Sequence, residues 1–414
     1  MMSIKLCVIR VMGIIKAVFF YFFSLTTKLF SGRFGNRLIV FGANSGIFSG
    51  DSPWHLFLWY LNNQPNQKIV WCTANFSEYR RLRKSDLPVA YRSSPFYWLK
   101  VINAKTIFFS HGLIDVTPNF RLIPLDARVV YLTHDIAPKR TRHAVQGERV
   151  TKKMLKRSAL ERKIVTDYIS CSPFISKCRS LALGVPVEKF RVTGLPRTDV
   201  LWQSRTKQLQ KDTFMVDGLE VEKVILYAPT WRSGRYPTDL LPFSESSISD
   251  LVEFLDAKKA VIVLRCHKND LVFPEVREKM ELLVWLSGRI IDGTHSRFGD
   301  VNHLLPEVDV LVSDYSGIIH DFLLLDRPIV LVPYDRASFE QSNGFFYDYD
   351  EMAPGDVAVT GEQFLTALHL AFDSPNHHKG KRQRLCDLVF SYQDDHACER
   401  VSNLIEYGDA INVS

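Results

Sequence analysis

The chain alternates short, wholly apolar runs with longer stretches in which apolar residues recur at helical spacing. Arg37 to Gly42 (RLIVFG), Ile69 to Cys72, Val89 to Tyr91, Thr106 to Ser110, Arg128 to Leu132 and Ile164 to Ser170 read as buried strands. Trp54 to Leu61, Phe76 to Arg83 and the segment from Ser172 onward have helical density between and after them. Gln208 to Glu220 is polar and poorly patterned, and follows the turn-rich Val192 to Asp199. Beyond it the strand runs resume at Val224 to Ala228, Ala260 to Leu264 and Val310 to Val312. This order predicts an α/β protein whose parallel sheets carry helices on both faces. The boundaries predict a segment 1–36, a Rossmann-like domain 37–205, a second Rossmann-like domain 206–380 and a helical segment 381–414.

Asp309 to Asp335 is the most informative stretch. Strand residues Val310 to Val312 run into Asp314 to Gly317, then into the apolar Ile318 to Leu325, and Arg327-Pro328 stops that helix before the strand Ile329 to Val332. In such a βαβ unit the turn meets a helix N-terminus, where unpaired backbone N–H groups favour an anion. Ser316 there is either a helix cap or a phosphate ligand, and Gly317 permits close approach to the backbone. Two other strands of this half end in similar chemistry, one at Thr230-Trp231-Arg232 and one at Arg265-Cys266-His267. Ligands of parallel sheets gather at such carboxyl ends, so a nucleotide or phosphate site is expected here.

In the first half, Ala43 to Asp51, with Asn44 and Ser45, forms a loop at the end of a strand. Ser110-His111-Gly112 forms another, and Tyr131 to Arg140 a third. His134 in the third loop can accept a proton from an attacking hydroxyl, and Lys139 and Arg140 can bind an anion; a structural, hydrogen-bonded histidine is the simpler reading of the residue taken alone. Lys152, Lys153, Lys156, Arg157, Arg162 and Lys163 make a cationic helix, either a solvated face or a hold for a polyphosphate or lipid headgroups.

Charge and composition narrow the choices. The 414 residues, 46% hydrophobic and 23% charged, are those of a globular protein large enough for two cores. A net charge of +7 suits an acidic partner. The seven cysteines have neither zinc-ligand nor redox spacing, which fits reduced thiols in the cytoplasm. No glycine-rich dinucleotide turn, Gly-Lys-Ser/Thr loop or nucleophile elbow is present, and the basic residues do not form a nucleic-acid-binding pattern. The carboxylates Asp348, Asp350, Glu351, Asp394 and Asp395 lack His or Cys companions at ligand spacing, so no metal site is expected. Residues 4–30 are apolar but interrupted by Lys5, Arg10 and Lys16, and Ala17 to Thr27 is too short to span a bilayer. With Lys28, Arg33 and Arg37 following, segment 1–36 reads first as an amphipathic helix on an anionic membrane surface, then as one packed on the protein's own core, and last as a span with Lys16 snorkelling.

In chain order, Asn44-Ser45, His134 to Lys139, Gly194 to Asp199, Tyr227 to Arg232, Arg265 to His267, Ser313 to Gly317, Gly344 to Tyr349 with Ala353-Pro354-Gly355, and Asp394-Asp395 with Glu399-Arg400-Val401 resemble the CDP-glycerol glycerophosphotransferase family of teichoic-acid and capsule enzymes. The resemblance implies a GT-B-like architecture, two Rossmann-like domains facing a central cleft, on the cytoplasmic face of the bacterial membrane. It implies transfer of glycerol phosphate or a related polyol phosphate from CDP-glycerol to a hydroxyl of a lipid-linked or polymeric acceptor, with release of CMP. By position His134 and His267 match the family's functional histidines, and Asp314 and Ser316 its donor-phosphate motif. Thr133-His134-Asp135, Lys268 and Gly317 depart from the usual Trp-His-Gly, proline and second serine.

On this reading His134 is the base, and Arg232, Arg265 and His267 bind the pyrophosphate with Thr230 and Gly317 close by. Ser316 holds the departing phosphate, Asp314 orients a neighbour, and Lys139, Arg140, Asn44 and Ser45 meet the acceptor. No cofactor is expected. A sugar transferase of the same fold using a nucleotide sugar, and a non-catalytic protein binding an anionic polymer at the membrane, are the other two readings.

Overall fold

The computed structural model describes residues 38–136, 138–140, 152–206, 212–214, 216, 218–232 and 236–407. The expected amphipathic segment 1–36 lies outside these residues, as does the end of the expected segment 381–414 beyond 407. Among the described residues no helix is long and apolar enough to cross a membrane.

Two sheets form, both wholly parallel in the pairings described. The first holds β1 (Leu38–Phe41), β2 (Ile69–Thr73), β3 (Val89–Tyr91), β4 (Ala104–Phe109), β5 (Arg128–Tyr131), β6 (Asp167–Ser170) and β7 (Phe190–Val192) in the order β3-β2-β1-β4-β5-β6-β7. Parallel strands need crossovers, and helices α1 (Asp51–Asn63), α2 (Phe76–Lys84), α3 (Pro95–Ile102), α4 (Lys152–Ile164) and α5 (Pro173–Leu183) supply them. Their starts are written locally. Asn75 accepts the Ser77 and Glu78 N–H groups before α2. Ser172 accepts the Ile175 N–H before α5, whose first residue is Pro173 and whose end is Gly184 in a left-handed turn. Aromatic rings fill the space around β1: Phe41 lies 5.1 Å from Phe108 and 5.6 Å from Phe57.

The second sheet holds β8 (Lys223–Tyr227), β9 (Ala260–Leu264), β10 (Ile290–Asp292), β11 (Val310–Ser313), β12 (Ile329–Leu331) and β13 (Asp356–Val357) in the order β10-β9-β8-β11-β12-β13. Alternate strand residues point to one face. Ile225, Tyr227, Ile262, Leu264, Val310 and Val312 thus share a core with Leu251 and Leu255 of a helix at Glu245–Ala257 and with Phe364 and Leu368 of a helix at Gly361–Asp373. A reciprocal capping box, Thr360 with Gln363, starts the latter helix.

The described residues fall into two compact units, one from the chain up to His134 together with the run ending at Tyr168, the other from Asp135 to 140 and from Ile169 onward. The expected boundary at 205/206 separates the strands of the two sheets, but residues 169–205 belong with the C-terminal unit. The reason is a set of bonds between residues 124 to 220 positions apart in the chain. Asp199 accepts the N–H groups of Ala397 and Cys398, both at 2.9 Å, at the start of a helix at Ala397–Tyr407. Ser391 N–H reaches the Cys171 carbonyl at 2.9 Å, and Arg400 donates to the Thr193 carbonyl at 2.7 Å. The buried Arg197 pairs with Asp321 at 3.1 Å. The Gly194 to Asp199 and Asp394 to Val401 motifs are therefore parts of one structural clasp.

Candidate active site

In the N-terminal unit three adjacent strands, β1, β4 and β5, deliver their carboxyl ends to one cluster. The loop after β1 carries Asn44 and Ser45, the loop after β4 carries Ser110, His111 and Asp115, and the loop after β5 carries His134. Asp115 is fully buried and ties the first two loops together. Its Oδ1 accepts the Ser45 N–H at 2.7 Å, and its Oδ2 accepts the N–H groups of Ser110 at 3.0 Å and His111 at 2.8 Å. A side chain at Gly42 would meet the Asp115 carbonyl at 2.7 Å, so only glycine lets the loops close this tightly. Asn44, Ser45, Asp51 and Thr133 all adopt positive φ, between 48° and 59°. Such strain in non-glycine residues persists where surrounding bonds over-determine it, and here it gathers around His134.

His134 Nδ1 lies 3.0 Å from the Ser110 carbonyl and 3.2 Å from the Tyr131 hydroxyl. A carbonyl only accepts, so Nδ1 carries the proton of the neutral ring and Nε2 carries the lone pair. That is the tautomer a general base needs. His111 stacks on it, ring centroids 4.4 Å apart and planes 16° from parallel.

Lys139 and Arg140, expected to bind an anionic acceptor, behave differently from each other. The half-buried Lys139 ammonium faces Asp135 at 3.6 Å, so part of its charge is met within the protein. Arg140 is exposed, its guanidinium 6.0 Å from the Phe346 ring and its backbone N–H on the Gly344 carbonyl. On the cationic helix α4, Arg157 lies over the Phe120 ring at 4.9 Å.

In the C-terminal unit the three expected strand ends are neighbours, β9-β8-β11. They do not all present their groups to a ligand. Arg232, 3% exposed, is committed to two carboxylates: 2.7 Å to Asp314 and 2.7 Å to Asp335, with a further bond to the Thr230 carbonyl. Burial alone would lower its pKa, but Asp314 and Asp335 reverse this and hold the guanidinium above its ordinary value. The expectation that Arg232 grips the pyrophosphate is corrected accordingly: its charge is spent inside the protein. Asp314, 1% exposed, also accepts the Thr230 N–H at 2.8 Å and the Tyr315 N–H at 2.6 Å, so it orients two strand ends and stays out of solvent. Thr230 is 7% exposed, and its buried hydroxyl makes no hydrogen bond, which nothing in the structure explains.

Arg265 is the better cation for a ligand. It is half-buried and donates to the carbonyls of Gly293 at 2.9 Å and Gly299 at 2.5 Å, neither of which neutralises it. The exposed His267 stacks on Trp231, 5.2 Å between centroids and 15° between planes. Its Nδ1 accepts the Asn269 N–H at 3.2 Å, so the neutral ring carries its proton on Nε2, a donor suited to a phosphate oxygen. The helix after Ser316-Gly317 runs only Ile318–Leu323, shorter than the expected Ile318 to Leu325, and Leu324 to Asp326 form a turn. No side chain caps it, so the reading of Ser316 as a plain helix cap does not hold. Ser316 is half-buried and lines a small pocket with Asp314, His320, Tyr347 and Tyr349.

His320 was not among the expected site residues. It is 3% exposed, neither ring nitrogen has a hydrogen-bond partner among the described residues, and burial drops its pKa to about 4 despite the opposing pull of Asp135; Lys139 adds to the drop. A histidine held neutral in the fold but free to protonate when unfolded near pH 6.5 gives stability that is complete above that value. That stability is lost as pH falls toward 4, by at most about 1.4 kcal/mol per pH unit. His320→Phe is expected to flatten this part of the profile, measured as the urea midpoint between pH 7 and 5. An unchanged slope would show that His320 does not titrate in this way.

Reasoning from the chain alone did not assign His111, Asp115, Asp335 or the Trp231 stack. Asp115 had a visible signal, a lone carboxylate inside the apolar Leu113 to Val116. Asp335 had none, because its partner Arg232 lies about a hundred residues away.

Residues 22–407 match the model of the family described as CDP-glycerol:poly(glycerophosphate) glycerophosphotransferase. The chain belongs to that family. Among curated members, the teichoic acid poly(glycerol phosphate) polymerase of Bacillus spizizenii is 25% identical over 352 residues, 80% of this chain and 83% of that protein. The teichoic acid glycerol-phosphate transferase of Staphylococcus aureus is 28% identical over 254 residues, 58% of this chain and 60% of that one. Of the ribitol-phosphate polymerase TarL from S. aureus, 28% identical, the chain spans only 37%. Among solved structures, the wall teichoic acid polymerase TagF superposes with a TM-score of 0.73 at 22% identity, covering 93% of this chain and 91% of that one. The glycerophosphotransferase fold of two parallel α/β sheets is thus common to both.

Proposed function

We propose that the protein transfers glycerol phosphate, or a related polyol phosphate, from CDP-glycerol to a hydroxyl of a lipid-linked or polymeric acceptor, releasing CMP, in the synthesis of a teichoic-acid-like or capsular polymer. The observation that carries this reading is His134, a ring whose Nδ1–H is anchored to the Ser110 carbonyl with its lone pair left on Nε2. The architecture is GT-B-like, with residues 37–205 receiving the acceptor and 206–380 the donor, and the protein works at the cytoplasmic face of the membrane.

The acceptor hydroxyl gives its proton to His134 Nε2 as its oxygen attacks the phosphorus that bears the glycerol. The bond from that phosphorus to the bridging oxygen breaks, and CMP leaves with the electron pair. Positive charge and donors must meet the negative charge that develops there. Arg265, the Nε2–H of His267 and the Ser316 hydroxyl supply them. Arg232 and Asp314 act one step back, by fixing the strand ends that carry Thr230 and Ser316.

The test incubates purified protein with CDP-glycerol and a membrane extract. Acceptor-dependent CMP, with glycerol phosphate in the lipid or polymer fraction, is the expected outcome. Consumption of a nucleotide sugar with CDP-glycerol untouched would move the protein to the sugar-transferase reading, and no turnover of either would favour a binding role.

A further inference from the structure

The stacked imidazoles of His111 and His134 hold opposite tautomers. The Asn44 N–H points at His111 Nδ1 at 3.4 Å, and the Ser110 hydroxyl lies 2.9 Å from the same nitrogen. A backbone amide can only donate, so Nδ1 of His111 bears the lone pair and its neutral ring keeps the proton on Nε2. Asp51 lies 3.9 Å from that Nδ1. His134 is the reverse, since its Nδ1–H donates to the Ser110 carbonyl. Both Nδ1 edges are turned toward Ser110, so both Nε2 edges are turned away from it, one as a donor and the other as an acceptor.

We propose that this pair grips the acceptor as a 1,2-diol, which rests on the reading of His134 as the base. Hydrogen bonds from imidazole run in the ring plane. Two nearly parallel rings with centroids 4.4 Å apart therefore aim at two separate points, and one oxygen serving both would lie out of at least one plane. Adjacent hydroxyls on neighbouring carbons match that offset. One hydroxyl gives its proton to His134 Nε2 and becomes the nucleophile. Its neighbour accepts from His111 Nε2–H, which keeps its proton throughout and fixes which hydroxyl attacks. His111 is thus an acceptor-selecting residue. An acceptor with an isolated hydroxyl lacks one of the two holds.

The experiment compares kcat/KM for an acceptor ending in a 1,2-diol with that for the same acceptor lacking the neighbouring hydroxyl, in the wild type, His111→Phe and His111→Gln. Loss of one hydrogen bond to a substrate hydroxyl costs about tenfold, so the wild type is expected to prefer the diol by that factor or more. His111→Phe keeps a stacked ring without a donor, and its preference falls to near unity while the KM for the nucleotide donor is unchanged. His111→Gln retains an N–H and most of the preference. A His111→Phe enzyme that keeps the wild-type preference overturns the proposal. The tautomers are read without turnover by long-range proton–nitrogen NMR on histidine-labelled protein, assigned with the same variants. A proton on Nδ1 of His111 overturns the proposal even if CDP-glycerol is not the donor, whereas failure of CDP-glycerol turnover with both tautomers as described counts against the donor alone.

Discussion

Replacing His134 with alanine is expected to lower kcat by about a hundredfold or more, the usual scale for a positioned general base, while the KM for the nucleotide donor stays close to that of the wild type. The imidazole is held by the Ser110 carbonyl and stacked on His111, so the substitution removes a proton acceptor beside two loops that Asp115 still ties together. Steady-state kinetics at saturating donor decide the matter. A variant with near-normal kcat would remove His134 from the chemistry and leave it a structural residue.

The second large effect is on stability. Arg232→Met takes away the cation between Asp314 and Asp335 and leaves the side chain of Asp314, 2% exposed, without its counter-charge. Breaking a buried pair from one side costs about 3–5 kcal/mol, so the urea midpoint should fall by an amount that threatens folding at 37 °C. Asp314→Asn in the same background removes the stranded charge but keeps an oxygen for the Thr230 and Tyr315 N–H groups. The double variant is therefore expected to be more stable than Arg232→Met alone. If the single substitution leaves the midpoint where it was, the Arg232 cluster is not what holds these strand ends.

These two clusters also mark what the chain reveals about itself. The strands were legible because each is a short β-branched or aliphatic run between turn residues, and Ala260 to Leu264 was read to the residue. The carboxyl-end loops followed from the parallel order, which set His134, Arg265 and Ser316 where a ligand is expected. Charge was harder to place. Arg232 and Lys139 look alike as loop cations; Asp135 stands only four residues before Lys139, but nothing near Arg232 shows that Asp335 answers it. Pairing is decided by where distant loops meet, whereas the periodicity that reveals strands is local. The same limit hid Asp115, whose three N–H partners come from two loops. It also misplaced residues 169–205, whose allegiance depends on a helix that begins at Ala397.

That last dependence bears on how the protein is made. Asp199 accepts its two N–H partners from residues 198 and 199 positions further along, and burial raises its pKa against the pull of those bonds. During synthesis Asp199 leaves the ribosome long before Ala397 does, and until then its carboxylate must remain in water. Non-local closure of this kind is slow and comes late. The C-terminal helix is thus the latch that completes the larger unit, and a chain ended before it, by a nonsense mutation or a protease, retains the strands but not the seal over them.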